Sequence, residues 1–176
     1  KYPTPEDVIP HPLNAYALSK QIGEQYCKLF QILYGLEWNA CRPFNAYGTR
    51  MPITGIYTSA IATFINALKN DLPFQRFGDG EQRRDFIYID DIVDQLLLMS
   101  TSQVHGEAFN CGSGTNNSIN EVFDLVQKLM GKSKDYGRLP KQLEPSQTLA
   151  DISKAERLLG WKPKIGLEEG LRRTIG

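Results

Sequence analysis

The chain has 176 residues, 41% of them apolar and 23% charged, which is enough to bury one domain core and too apolar for a disordered segment. Its 20 Lys and Arg balance 20 Asp and Glu, so the basic excess of a nucleic-acid binder is missing, and no apolar run nears the roughly 20 residues that span a bilayer. Three scattered cysteines, Cys27, Cys41 and Cys111, make neither a zinc set nor a disulfide scaffold; no metal site is expected, and a reducing, cytoplasmic compartment fits.

The opening, KYPTPEDVIPHPLNAY, lacks an initiator Met and a secretory pattern, and reads as a Pro-rich loop from within a longer protein. Asn14 is then placed to cap a helix over Ala15–Tyr34, whose apolar positions Leu18, Ile22, Tyr26, Leu29, Phe30 and Leu33 recur at helical spacing. Gly35 closes it as a C-cap glycine. Trp38–Phe44 reads as a short buried strand, followed by the turn-rich Asn45–Gly55. A second helix is predicted over Tyr57–Lys69, then strands at Phe74–Phe77 and Asp85–Ile89 on either side of the Gly78-Asp79-Gly80 turn. Asp90 starts a helix to about Met99, and its pairing with Asp91 is read as complementing the helix dipole rather than as a metal site.

The second half keeps the rhythm. Ala108–Cys111 is a strand, Gly112 and Gly114 make a turn, and Ser118 caps a helix to Met130 with Glu121 at capping-box spacing. Pro140–Pro145 reads as a surface loop; short helices follow Asp151–Ser153, ending at Gly160, and cover Leu167–Ile175. Strands alternating with helices predict an α/β architecture.

Of the eight tyrosines, only Tyr16 has a Lys four residues on, in Tyr16-Ala-Leu-Ser-Lys20. Helical geometry stacks such side chains on one face, where an ammonium favours the phenolate and equips the phenol to take a proton. Taken alone, the pair is what two solvent-facing side chains would also produce. It is followed, in order, by Arg42-Pro43-Phe44-Asn45, Tyr47-Gly48, the run Gly78-Asp79-Gly80 to Arg84-Asp85-Phe86 and on to Asp91, Phe109-Asn110-Cys111-Gly112-Ser113-Gly114, and Ala150-Asp151-Ile152-Ser153-Lys154-Ala155 with Leu159-Gly160-Trp161.

This ordered set resembles the extended short-chain dehydrogenase/reductase family, in particular its nucleotide-sugar epimerases and dehydratases. The resemblance implies the C-terminal part of a Rossmann-type doubly wound sheet plus the small α/β substrate-binding domain, interleaved over residues 1–176. It also implies NAD as cofactor and a nucleotide-diphosphate sugar as substrate. Tyr16 would be the catalytic base and Lys20 the residue that lowers its pKa and holds the nicotinamide ribose, with Phe44 at the nicotinamide end. Asn45, Ser59 and Arg84 would meet the diphosphate and Phe77 the base; Lys141 and Glu144 stand where the family commonly has Arg and Asp on the substrate. The segment Thr54-Gly55-Ile56-Tyr57 resembles the epimerase branch.

The expected activity is therefore a 4-epimerase. The alternatives are a 4,6-dehydratase or decarboxylase of the same family, or a non-catalytic nucleotide-sugar-binding scaffold. The family's Gly-x-x-Gly-x-x-Gly loop has no counterpart in the sequence, so the glycine-rich half is expected upstream and this chain alone is expected to turn over no NAD. A homodimer through the Tyr16/Lys20 helix is a further expectation.

Overall fold

The computed structural model describes residues 2–53, 58–141 and 144–176. Its first helix, α1 (Ala15–Tyr34), has the predicted limits: Asn14 Oδ1 accepts the Ala17 N–H at 2.8 Å, and Gly35 turns at φ 68°, a conformation that costs glycine nothing. None of its residues is buried.

The strands are short and pair as ladders. β1 (Asn39–Pro43) lies parallel to β6 (Glu107–Cys111), and β2 (Asn45–Tyr47) parallel to β5 (Phe86–Tyr88). β3 (Gln75–Phe77) lies parallel to β8 (Gly137–Leu139), while β4 (Arg83–Arg84) runs antiparallel to β7 (Asn117–Ser118). The remaining helices are α2 (Ala60–Lys69), α3 (Ile89–Thr101), α4 (Ile119–Met130), α5 (Ser153–Leu159) and α6 (Leu167–Ile175). In α4 the capping box forms as predicted, with Ser118 and Glu121 each bonding the other's backbone N–H.

Successive side chains of β5 serve two cores, because strand residues alternate between faces. Ile87 joins Ile92, Phe109, Cys111, Ala155 and Trp161. Tyr88 joins Tyr47, Phe64, Phe123 and Leu171, where Phe64 and Phe123 stack at 4.1 Å between centroids. Asp91, expected as a helix-dipole carboxylate, is buried and does more: its two oxygens accept the Lys164 and Ile165 N–H groups at 2.9 and 3.0 Å. The Trp161 indole donates to the Asp91 carbonyl at 3.1 Å. The approach to α6 is thus tied to the first turn of α3.

Four local expectations are corrected. Asn45–Tyr47 is a strand rather than turn, because β5 supplies its ladder. β4, β7 and β8 were not expected; ladders of two or three residues carry no readable alternation. Helix α2 begins at Ala60 with Ser59 as N-cap, and α3 begins at Ile89 and runs to Thr101. The segment Thr54–Tyr57 lies outside the described residues, as do 142–143 in the Pro140–Pro145 loop.

The N-terminal segment is pinned across the fold before α1 starts. Thr4 N–H donates to Leu149 O, while Asp151 N–H and Asn110 Nδ2 donate to Thr4 O at 3.0 and 2.9 Å. Glu6 Oε1 accepts the Asn110 N–H at 2.8 Å.

Candidate active site

Tyr16 stands on the first turn of α1, 61% exposed, and the Lys20 ammonium lies over its ring at 5.2 Å from the centroid. The i, i+4 spacing therefore brings the two groups to one open face, as predicted. Tyr47 is a contrast: it is 2% exposed, donates to Leu167 O at 3.3 Å, and burial pushes its phenol well above the ordinary range. That phenol is a core group.

Within this chain no residue of α1 is fully buried, and a side-chain fork ties the helix to β1. Arg42, on β1, binds Glu24 of α1 through Nε and Nη2 at 2.7 and 2.6 Å, and donates through Nη1 to Glu6 O at 3.0 Å. One planar fork thus staples the helix and the N-terminal segment to the strand that leads into Phe44 and Asn45. The hydrogen bond from Arg42 holds the Glu24 carboxyl below its usual value, and Glu24 raises Arg42 in turn.

A depressed carboxyl contributes stability above its unfolded pKa and loses it as pH falls through the folded value. Glu24→Gln is therefore expected to lower stability by about 1–3 kcal/mol near pH 7, with the deficit shrinking in acid. Thermal melts of wild type and variant across pH 3–8 (about this range is set by carboxyl titration) check it; parallel curves would refute the pairing.

Phe44, half-buried between β1 and β2, donates its N–H to Cys111 O at 2.9 Å. Asn45 donates twice to the Asp85 carbonyl oxygen, from its backbone N–H at 3.0 Å and from Nδ2 at 2.9 Å. Its Nδ2 reaches Thr148 Oγ1 only at 3.4 Å. One amide hydrogen is thus fixed and the other is held at the edge of bonding range, available to an anion.

Arg84, Glu144, Lys141 and Phe77, scattered in the sequence, gather at the β3–β4 turn. Arg84 is 8% exposed, and its Nη2 donates to Glu144 Oε2 at 2.6 Å while Nη1 donates to Arg83 O. Gln82 Nε2 bridges Phe77 O and Glu144 Oε1 at 3.2 and 3.4 Å. A depression of about 120 Å³ is lined by Asp79, Glu81, Gln82, Lys141 and Glu144 among others, and Phe77, next in sequence to its lining residue Gly78, is exposed. Arg84 is thus no solvated surface charge.

Ser59 is not brought to this group by any contact among the described residues. As N-cap of α2 it accepts the Ala62 N–H at 3.1 Å, and its hydroxyl faces Met51 Sδ at 3.4 Å. A larger hollow of about 210 Å³, lined by Gly48, Arg50, Met51, Ile65, Lys69 and Thr174 among others, holds none of the residues expected to act; chemistry and volume point to different places, and the chemistry is the better guide.

Sequence reasoning passed over Gln82 and Thr148, and above all Asp85. Asp85 heads the otherwise apolar Phe86–Ile89, and a carboxylate opening such a run was the available signal. Among the described residues no group of three or more His, Cys, Asp or Glu is placed to hold a metal ion, and no helix is long and apolar enough to cross a membrane.

Comparison with known proteins bears on this arrangement. The family model described as the NAD dependent epimerase/dehydratase family matches residues 2–112. A UDP-glucuronate 4-epimerase of Thermodesulfobacterium geofontis is 38% identical over 93% of this chain and 50% of its own length. A UDP-glucose 4-epimerase of Mycolicibacterium smegmatis is 31% identical over 99% of the chain and 56% of its own. Among solved structures, a Thermotoga maritima UDP-glucose 4-epimerase with UDP-glucose superposes with a TM-score of 0.95 at 35% identity, over 99% of this chain and 56% of that one. A Bacillus cereus UDP-glucuronic acid 4-epimerase with NAD gives 0.88 at 33%, over 98% and 54%. The chain spans about half the length of the curated relatives it matches, and its fold is a partial Rossmann-type α/β fold. With a family model over most of its length and relatives aligned nearly from end to end, the chain belongs to the NAD-dependent epimerase/dehydratase family.

Proposed function

We propose that the protein carrying this chain is an NAD-dependent UDP-sugar 4-epimerase. The observation that carries the reading is the Lys20 ammonium over the Tyr16 ring on an open face of α1. The uridine nucleotide is taken from the similarity to the UDP-sugar enzymes above.

The residues present fit the nicotinamide end of the cofactor. Lys20 forms no ion pair with a carboxylate among the described residues, so its donors can serve ribose hydroxyls. NAD, when bound, accepts hydride from the sugar carbon and returns it. Tyr16 takes the proton of the C4 hydroxyl and later gives it back on the opposite configuration, while the neighbouring ammonium stabilises charge developing on the phenol oxygen. Arg84 and the loosely held Asn45 amide hydrogen bind the diphosphate, a role suited to a planar fork and an oriented N–H. Phe77 packs on the base, Lys141 and Glu144 contact the nucleotide, and Phe44 lies at the nicotinamide. Ser59 contributes to the diphosphate site only through the N-terminus it caps. The apolar stripe of Leu18, Ile22, Tyr26 and Leu29 on α1 is exposed and would be covered either by α1 of a second copy in a homodimer or by the sheet of the half of the enzyme that lies outside this chain.

The test is to incubate the full-length protein with NAD and UDP-glucose or UDP-glucuronate and follow the C4 configuration by NMR. Interconversion of the 4-epimers is the expected result. A 4-keto-6-deoxy product or loss of carbon dioxide would reassign it to a dehydratase or decarboxylase. Tight UDP-sugar binding without turnover would make it a scaffold.

A further inference from the structure

Asp85 is fully buried, yet no cation pairs with its carboxylate among the described residues. Dipoles satisfy it instead. Oδ1 accepts the Ser113 N–H at 2.6 Å and the Ser113 hydroxyl at 2.7 Å; Oδ2 accepts the Gly114 and Ala150 N–H groups at 3.3 and 3.0 Å. Its main chain is as fully engaged: the carbonyl takes both donors of Asn45, and its N–H donates to Thr148 Oγ1 at 3.3 Å. One residue therefore joins the turn after β6, the irregular segment leading from Glu144 to Ala150, the Asn45 amide and, through the adjoining peptide, Arg84.

A buried carboxylate is expensive to hold, and this one is held where three substrate-facing groups converge. We propose that Asp85 is a positioning residue of the nucleotide-sugar site: its carboxylate sets the register of the Thr148–Ala150 segment against β5, and its carbonyl aims the Asn45 amide. This rests on the reading of the site as one for a nucleotide-diphosphate sugar. Gly112 belongs to the same device, because a Cβ there would stand 2.7 Å from Asp85 Oδ2 and 2.5 Å from the Ala150 Cβ.

Asp85→Asn replaces an acceptor oxygen with a donor that faces N–H groups. Gly112→Ala keeps the carboxylate but pushes it. Asp91→Asn is the control, an equally buried Asp bonded to backbone N–H groups of Lys164 and Ile165 instead. In the full-length enzyme, Asp85→Asn and Gly112→Ala are expected to raise KM for the UDP-sugar, and Kd for UDP by calorimetry, about ten- to a hundredfold. NAD affinity and kcat of the folded fraction at saturation should hold within about threefold. Asp91→Asn should lower Tm and leave KM alone. Wild-type KM in both site variants, or an equal rise in the Asp91 control, overturns the proposal. A wild type that neither binds UDP nor converts its sugars instead overturns the reading of the site, and the positioning role with it.

Discussion

Tyr16→Phe in the full-length protein is expected to lower kcat by about 10²- to 10⁴-fold, the usual worth of a positioned proton acceptor. The substitution removes one oxygen from an exposed ring and leaves the ring beneath the Lys20 ammonium, a contact that needs only the aromatic face. Affinity for UDP-sugar and Tm should therefore stay near wild type, and the loss should fall on the chemical step alone. Initial rates at saturating substrate, with UDP binding measured alongside, check this. Unchanged turnover would remove Tyr16 from the reaction and leave its neighbours as a binding surface.

Arg84→Leu is expected to act on the other kinetic constant, raising KM for the UDP-sugar by about 10²-fold with a smaller effect on kcat. The guanidinium is nearly buried and bonded to Glu144 at 2.6 Å. Its removal leaves Glu144 without its 2.6 Å partner and, in the proposed site, would take a charge-assisted donor from the diphosphate while leaving negative charge facing it. Arg84→Lys should recover little, since a point charge on a flexible stem cannot bond Glu144, the Arg83 carbonyl and an anion in one plane. A KM within threefold of wild type (about the scatter of such measurements) for Arg84→Leu would exclude Arg84 from the site.

The parts of the fold legible in the sequence are those whose signals are local. Asn14 and Gly35 bound α1, and Ser118 with Glu121 opens α4, because cap chemistry is completed within a few residues. β2, β4, β7 and β8 were illegible for the opposite reason: their ladders exist only because distant partners lie alongside. The site divides the same way. Tyr16 and Lys20 meet through helical spacing, which sequence shows. Arg84 and Glu144 were each named as candidate ligand residues by resemblance, but nothing in the chain order says that they bind each other. Asp85 was read only as the start of a strand over Asp85–Ile89, and its burial depends on partners at Ser113, Gly114 and Ala150 that chain order does not bring near.

The pinning of Thr4 and Glu6 to the body of the fold bears on Tyr16 itself. Between Glu6 and the cap at Asn14 the chain runs exposed, and α1 beyond it is stapled by Arg42 rather than seated in a core. A residue added to or removed from Asp7–Leu13 is expected to be absorbed by this exposed stretch, because Arg42 holds both Glu6 and Glu24 on β1 and both cores keep their contacts.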